Sequence, residues 1–326
     1  MKLAALLVAL CAALFVVSLT SGQVNASVGE SLVALWRDDG LPLSVVMQEI
    51  RLPRALLAVM IGASLGMAGA AMQGFLRNPL AEPGLIGVSG SAALGAVLAI
   101  QTGLTLFFPL ALPLAALSGA VLAVVLILLL AGPRGASITL ILAGIAISAL
   151  AGALTSLVLN LSPNPFAAAD IVFWMMGSLA DRSFDHVWLA LPFMMLGWAL
   201  LALSARGLDA LTLGEDAAQA MGINLARLRL MLVIGTASCV GAATAVAGAV
   251  GFVGLVVPHL LRGFVGARPS SLLWASALGG AAMVLAADIA VREILPQRDL
   301  KLGVLMALVG APLFLHLIFK TRKEMA

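Results

Sequence analysis

Six stretches of this chain, 55–75, 84–101, 107–131, 137–160, 187–204 and 230–250, contain no Asp, Glu, Lys, Arg or His at all. Each is close to the length of about 20 apolar residues that a helix needs to cross the hydrocarbon of a bilayer. In lipid the backbone has no water to bond, so such runs must close their own hydrogen bonds as helices. Of the 326 residues, 62% are apolar and 10% charged, where a soluble domain carries about 25% charged residues. A globule of this composition could not cover its own surface with polar groups. That excludes a soluble fold, a disordered chain and a nucleic-acid-binding domain. Cys11 and Cys239 both lie inside apolar runs, so no disulfide framework is encoded. The chain reads as an all-α polytopic membrane protein, a single transmembrane domain over 1–326.

Ten spans are predicted, at 3–20, 55–75, 84–101, 107–131, 137–160, 187–204, 230–250, 252–265, 270–289 and 302–319. The first has a second reading as a cleavable leader. Lys2 opens it, an apolar stretch follows, and Val24-Asn25-Ala26 resembles a small-residue cleavage site. A retained helix is the preferred reading. The eighth span is short and contains Pro258, which points to a broken helix. Charge placement sets the orientation. With the N-terminus inside, the inner side carries 11 basic and 5 acidic residues, Glu82 among the latter, and the outer side 7 basic and 10 acidic. Both termini are therefore expected in the cytoplasm. Gly62, Ala63, Ala68, Gly69, Ala70 and Pro79 recur 179 residues later as Gly241, Ala242, Ala247, Gly248, Ala249 and Pro258. Five crossings separate the two copies, and an odd number reverses direction, as in an inverted repeat of the transporter kind.

What is missing discriminates between functions. Charge-free spans offer no midplane group to hold or relay a coupling ion. No Gly-rich turn precedes any of the four lysines, so no phosphate-cradling loop is present. No nucleophile–base constellation or metal-ligand spacing appears. Catalytic residues, a metal site and a bound cofactor are not expected. Any uphill transport would draw its energy from another subunit. Gly62 and Gly66, with Gly69 three residues on, give the small-residue spacing that lets helices approach closely.

Two features lie between spans. Over 211–223, Thr212 is followed three residues on by Glu215, a capping pattern, and Gly222 provides a stop. A short helix there is a natural docking element for a cytoplasmic partner. At the opposite end, Arg51 and Arg54 stand one turn apart at the mouth of the second span, with Arg292 at the mouth of the ninth. Interfacial snorkelling is the alternative role for these arginines.

Longer strings then become recognisable. Arg51-Leu-Pro-Arg54, Gln73 and RNPLAEPGLIGVSGSAALGA from Arg77 resemble the permease subunit of bacterial ABC importers for iron–siderophore complexes, haem and vitamin B12, of the type II class. So do VFWMMGSL from Val172, LGEDAAQAMGI from Leu213, GFVGLVVPHLLR from Gly251 and LGVLMALVGAPLFLHLI from Leu302. Asn78, Pro79, Pro83, Gly84, Gly254 and Pro258 belong to these motifs. One departure stands out: Lys301 occupies the place of a usual proline, after Asp299. The resemblance implies ten spans and a homodimer in the bacterial inner membrane. Two cytoplasmic ATPase subunits would use ATP and Mg, and a periplasmic substrate-binding protein would deliver the ligand. It makes Arg51, Arg54 and Arg292 the docking points for that binding protein. Leu213, Gly214, Glu215, Asp216, Ala217, Gln219, Met221 and Gly222 become the coupling helix seated in the ATPase, and Ser137 and Thr139 lie near the cytoplasmic gate. The chain would not itself be an enzyme. The cargo implied is a ferric siderophore or haem, with vitamin B12 next. A stand-alone secondary carrier or channel is the alternative.

Overall fold

The computed structural model describes residues 2–22, 27–37, 39–108, 110–132, 137–294 and 300–325, with the side chains of Leu85, Ser137, Ile138 and 317–325 left aside. Every regular element among these residues is helical. In chain order they are α1 Lys2–Thr20, α2 Val28–Ala34, α3 Pro42–Val45, α4 Leu52–Leu76, α5 Val88–Gln101, α6 Ala111–Ala131, α7 Ser137–Asn160 and α8 Pro165–Met175. There follow α9 Phe184–Leu203, α10 Ala205–Leu211, α11 Glu215–Ala220, α12 Leu225–Ala247, α13 Val253–Arg262, α14 Pro269–Ile294 and α15 Leu302–Met325. Seven helical stretches are long and apolar enough to cross a membrane, and α5, α8, α13 and 302–316 are shorter apolar helices.

The core is built around α4. A π-helical turn at 46–51 joins α3 to α4, and nearly the whole inner length of α4 is buried. Its closest neighbour is α14. Arg54 faces Asp288, Gly62 faces Gly280, Gly66 faces Ser276 and Gly74 faces Pro269, so the two helices run in opposite directions along their full length. A methyl group at Gly62 or Gly66 would run into the carbonyls of Gly280 or Ser276. Bare glycine backbones on facing turns are what allow this approach, and dispersion between closely packed backbones rewards it. On the other side of α4, Trp198 of α9 donates its indole N–H to Ser64 at 2.9 Å, and α12 packs antiparallel to α9 through Gly197, Gly235 and Cys239.

Two expected crossings are only partial. Over 84–101 the helix proper starts at Val88, after a 3-10 turn at Pro83–Ile86, and its 14 residues rise about 21 Å. Helix α13 has 10 residues and rises about 15 Å; it runs through Pro258 without the expected break, and its start is set by the left-handed Phe252. Four helices had no counterpart among the expected elements: α2, α3, α8 and α10. The first three lie in segments flanking the spans, where apolar runs are too short to reveal a helix by length.

Candidate functional site

The two partial helices meet inside the bundle. Arg77 takes a left-handed conformation (φ 48°) and closes α4, with its N–H bonded to the Gly74 carbonyl and the Asn78 N–H to that of Gln73. The Asn78 side chain then accepts from the Leu80 N–H at 2.9 Å, so the chain turns back at Asn78–Pro79 rather than running on. It climbs again to Pro83, whose ring packs against Gly254, and Gly254 in turn touches the backbone of Leu65 and Gly69. Leu65 is at the middle of α4. The segment 77–87 is therefore re-entrant, and Pro83 lies about 16 Å from the Leu76 end.

This depth corrects the placement of Glu82. The charge count put it in an inner connecting loop. Its carboxylate instead accepts from the backbone N–H of Phe252 at 3.4 Å, at the start of α13. Phe252 is itself left-handed (φ 68°) and caps that helix with its own carbonyl. A negative group at a helix N-terminus is favoured by the helix dipole. Below this junction, Pro258 has no N–H to offer the Gly254 carbonyl. Gln73 replaces the missing donor through its side-chain amide, 3.4 Å from Gly254 O and 3.2 Å from Leu255 O, and its own oxygen accepts from Arg262 at 2.7 Å. Irregular backbone deep in a membrane protein survives only when its polar groups are satisfied in this way.

At one end of the bundle Arg54 and Arg292 converge on a residue not expected at this site, and Arg51 turns to the end of α1 beside them. Asp288 of α14 is fully buried. Arg54 grips its carboxylate through Nε at 2.9 and 3.1 Å and Nη2 at 2.9 Å, and Arg292 reaches it at 3.1 Å. Arg292 also donates to the Ser18 and Ser21 carbonyls, and Arg51 to the Leu19 carbonyl at 3.0 Å. Ser18 and Leu19 carry carbonyls of the last turn of α1 and Ser21 directly follows it; these are the unsatisfied acceptors of a helix C-terminus, where cations are favoured. The expectation of solvent-exposed arginines gives way here. The Arg54 side chain is 17% exposed and that of Arg292 12%, because both turn inward to a buried carboxylate. Two signals pointed to Asp288: it is the one acidic residue of the 270–289 run, and it stands four residues before Arg292.

At the other end, α11 is shorter than the 213–223 expected. Its N-cap is Gly214, and the Thr212 hydroxyl donates to the Asp209 carbonyl at 2.7 Å instead of capping. Glu215 is drawn away to Arg229 of α12, at 3.0 Å. The stop at Gly222 is as expected: with φ +84°, its N–H bonds the Gln219 carbonyl and that of Ile223 the Ala218 carbonyl. Asp216 and Ala217 lie within this short surface helix, and Met221 follows as its C-cap. Nearby, Asp209 accepts from Arg268 and from the Ser270 N–H, both at 2.8 Å, capping α14 from outside. Burial pushes this carboxyl up, but the Ser270 and Arg268 hydrogen bonds outweigh it and hold the group below its ordinary value.

Thr139 lies half-buried at the start of α7, whereas the side chain of Ser137, like Asp299, lies outside the described residues. Lys301 sits 5.5 Å from the ring centre of Phe173 in α8, a cation–π contact that directs its charge toward the protein. Gly84 follows Pro83 in the 3-10 turn. Among the described residues no group of three His, Cys, Asp or Glu is placed to hold a metal ion.

The sequence profile of the FecCD transport family matches residues 10–320. The chain belongs to the FecCD transport family. Relatives within reach include the hemin transport system permease protein HmuU of Yersinia pestis, 36% identical over 310 residues, covering 92% of this chain and 87% of that protein. The Fe(3+)-citrate import system permease protein YfmE of Bacillus subtilis is 37% identical over 285 residues, covering 86% and 84%. The vitamin B12 import system permease protein BtuC of Klebsiella pneumoniae is 36% identical over 307 residues, covering 94% and 90%. This FecCD chain also superposes on a solved inward-facing metal-chelate type ABC transporter with a TM-score of 0.87 and 33% identity, covering 98% of this chain and 99% of that one.

Proposed function

We propose that this FecCD-family chain is the membrane permease subunit of an ATP-driven importer for a bulky metal chelate. A ferric siderophore or haem is the first choice of cargo, and vitamin B12 the next. The observation that carries this reading is the likeness, over nearly the whole of both chains, to a metal-chelate type ABC transporter. The chemistry agrees with it: long spans free of charged side chains suit a cargo that is passed along rather than tightly coordinated.

In this reading the seven long helices together with α5, α13 and α15 make ten spans in the inner membrane, with both termini cytoplasmic. The antiparallel course of α12 relative to α9, and the parallel course of α9 beside α4, agree with an inverted relation between α4 and α12. Two copies enclose the path. Helix α11, with Gly214 and Gly222 as its hinges, seats in each of two ATPase subunits, and the gate lies near Ser137 and Thr139. The arginine cluster receives carboxylates of a periplasmic binding protein. Two guanidiniums, Arg54 and Arg292, share the one carboxylate of Asp288 while Arg51 bonds the Leu19 carbonyl, which supports the assignment, since the surplus positive charge suits further acidic partners.

The test is reconstitution. Proteoliposomes containing the chain, its ATPase subunit and the binding protein should take up labelled ferric chelate or haem only when ATP is supplied on the cytoplasmic side. Uptake driven by an ion gradient without ATP would instead establish a stand-alone carrier.

A further inference from the structure

We propose that a cleft beginning between α6, α7 and α12 and continuing up between α6, α9 and α12 binds an anionic phospholipid. The lower part, about 480 Å³, is bordered by Asn224, Arg227 and Arg229 at the start of α12. Arg229 is paired with Glu215. Arg227 is exposed and makes no side-chain ion pair among the described residues, so it supplies the uncompensated charge. Its guanidinium projects beside the N-terminal end of a 23-residue helix, whose dipole adds to the attraction for an anion. Among the described residues no acidic side chain lines this part of the cleft.

The upper part, about 350 Å³, shares Leu128 with the lower. Its walls are Val121 and Val125 of α6, Leu196 of α9 and Ile234 and Ala237 of α12. From Arg227 to Gly241, the far end of the groove, α12 rises about 21 Å. One leaflet of hydrocarbon is about 15 Å deep. A basic mouth at the end of an apolar groove of that length matches a phosphate headgroup with an acyl chain behind it, and basic pockets between membrane helices recognise anionic headgroups in this way. The inference needs only that the bundle stands in a membrane and is independent of the cargo. With the orientation proposed above, the lipid belongs to the cytoplasmic leaflet. Because Arg229 bridges the mouth to Glu215, the site adjoins the helix proposed to seat in the ATPase.

The experiment measures lipid retention by the purified full-length transporter, using native mass spectrometry with phosphatidylglycerol, phosphatidylcholine and glycerol phosphate as probes. Phosphatidylglycerol should bind about fivefold more tightly than phosphatidylcholine, the effect of one surface arginine. Arg227→Gln should abolish that preference. Val125→Trp, which fills the groove from a half-exposed position, should weaken both lipids. Unaltered melting temperatures without added lipid show that both variants fold. Equal affinity for the two lipids in the unaltered protein, a preference that persists in Arg227→Gln, or full retention in Val125→Trp would overturn the proposal. So would glycerol phosphate binding as well as the intact lipid, which would mean a free-phosphate site, or displacement of lipid from the cleft by a partner's membrane helix.

Discussion

The Glu82 carboxylate and the Phe252 N–H meet at 3.4 Å, halfway along the bundle, and so tie the end of one re-entrant segment to the start of a half-length helix. Neither residue lies in a charge-free span, yet both sit beside the middle of α4. Replacing Glu82 with Ala leaves a partly buried backbone donor without its acceptor, which costs about 1–3 kcal/mol. Glu82→Gln keeps an acceptor in place. The expected result, read as melting temperature in detergent, is a clear loss for Glu82→Ala and a small one for Glu82→Gln. Equal losses would mean that the negative charge, not the hydrogen bond, is what matters.

Asp288 offers a sharper contrast. Removing the Asp288 carboxylate, which pairs with both Arg54 and Arg292, strips two largely buried cations of this partner, at a cost of up to about 3–5 kcal/mol. Asp288→Asn should therefore lower the melting temperature far more than Arg268→Ala, whose ion pair is largely exposed and worth about 0–1 kcal/mol. For the same reason, reversing the charge of Arg51 and Arg54 together is a test of folding before it is a test of docking. Arg51 is itself buried, so docking is better probed with Arg54→Lys, which keeps a cation beside Asp288 but loses the planar guanidinium, measured as binding-protein affinity at low and high salt beside the melting temperature.

The glycine contact between α4 and α14 predicts position-dependent effects of one methyl group. Gly62→Ala meets the Gly280 carbonyl, which belongs to rigid backbone, and should destabilise by at least about 1–3 kcal/mol. Gly152→Ala, in α7 with open space around it, should be neutral or stabilising by about 0.5–1 kcal/mol. Thermal melts of both variants decide the point.

For energy coupling, Gly222→Pro cannot adopt the required φ of +84°, and Glu215→Lys places a cation against Arg229. In proteoliposomes with the ATPase subunit, both should hydrolyse ATP without matching uptake. Coupled activity at the unaltered level in both would remove α11 from the ATPase interface.

A pH dependence follows from Asp209. Its carboxyl is held below the ordinary value of 3.8 in the folded chain. Its contribution to stability is thus present above the ordinary value and is lost as pH falls through the lower, folded one. Melting temperatures taken downward from pH 5 should fall more steeply for the unaltered protein than for Asp209→Asn. Parallel curves would remove Asp209 as the cap of α14.

Much of this protein is legible in its sequence because lipid leaves the backbone few choices. A run of about 20 apolar residues must be a helix, and spans such as 55–75 and 230–250 were placed to within a few residues. The stop at Gly222 was also legible, since a helix end written in glycine depends only on local φ. Depth was not legible. A polar stretch such as 77–83 looks the same whether it lies at the surface or folds back to the middle of the bundle. Only Pro83 against Gly254, with Gln73 supplying the donor that Pro258 lacks, sets it there. Direction of side chains was likewise beyond reach. Arg51, Arg54 and Arg292 were found by their place at the ends of spans, where a charge normally turns to water. Asp288 and the open carbonyls of α1 turn them inward, because a buried carboxylate and a helix C-terminus brought together by packing outcompete solvent for the same guanidiniums. Composition and spacing alone give a bundle of membrane helices with most charges gathered at the ends, Glu82 excepted. Which of those charges face each other depends on packing, since residues such as Arg54 and Asp288, more than 200 positions apart, meet across glycine-lined helix contacts.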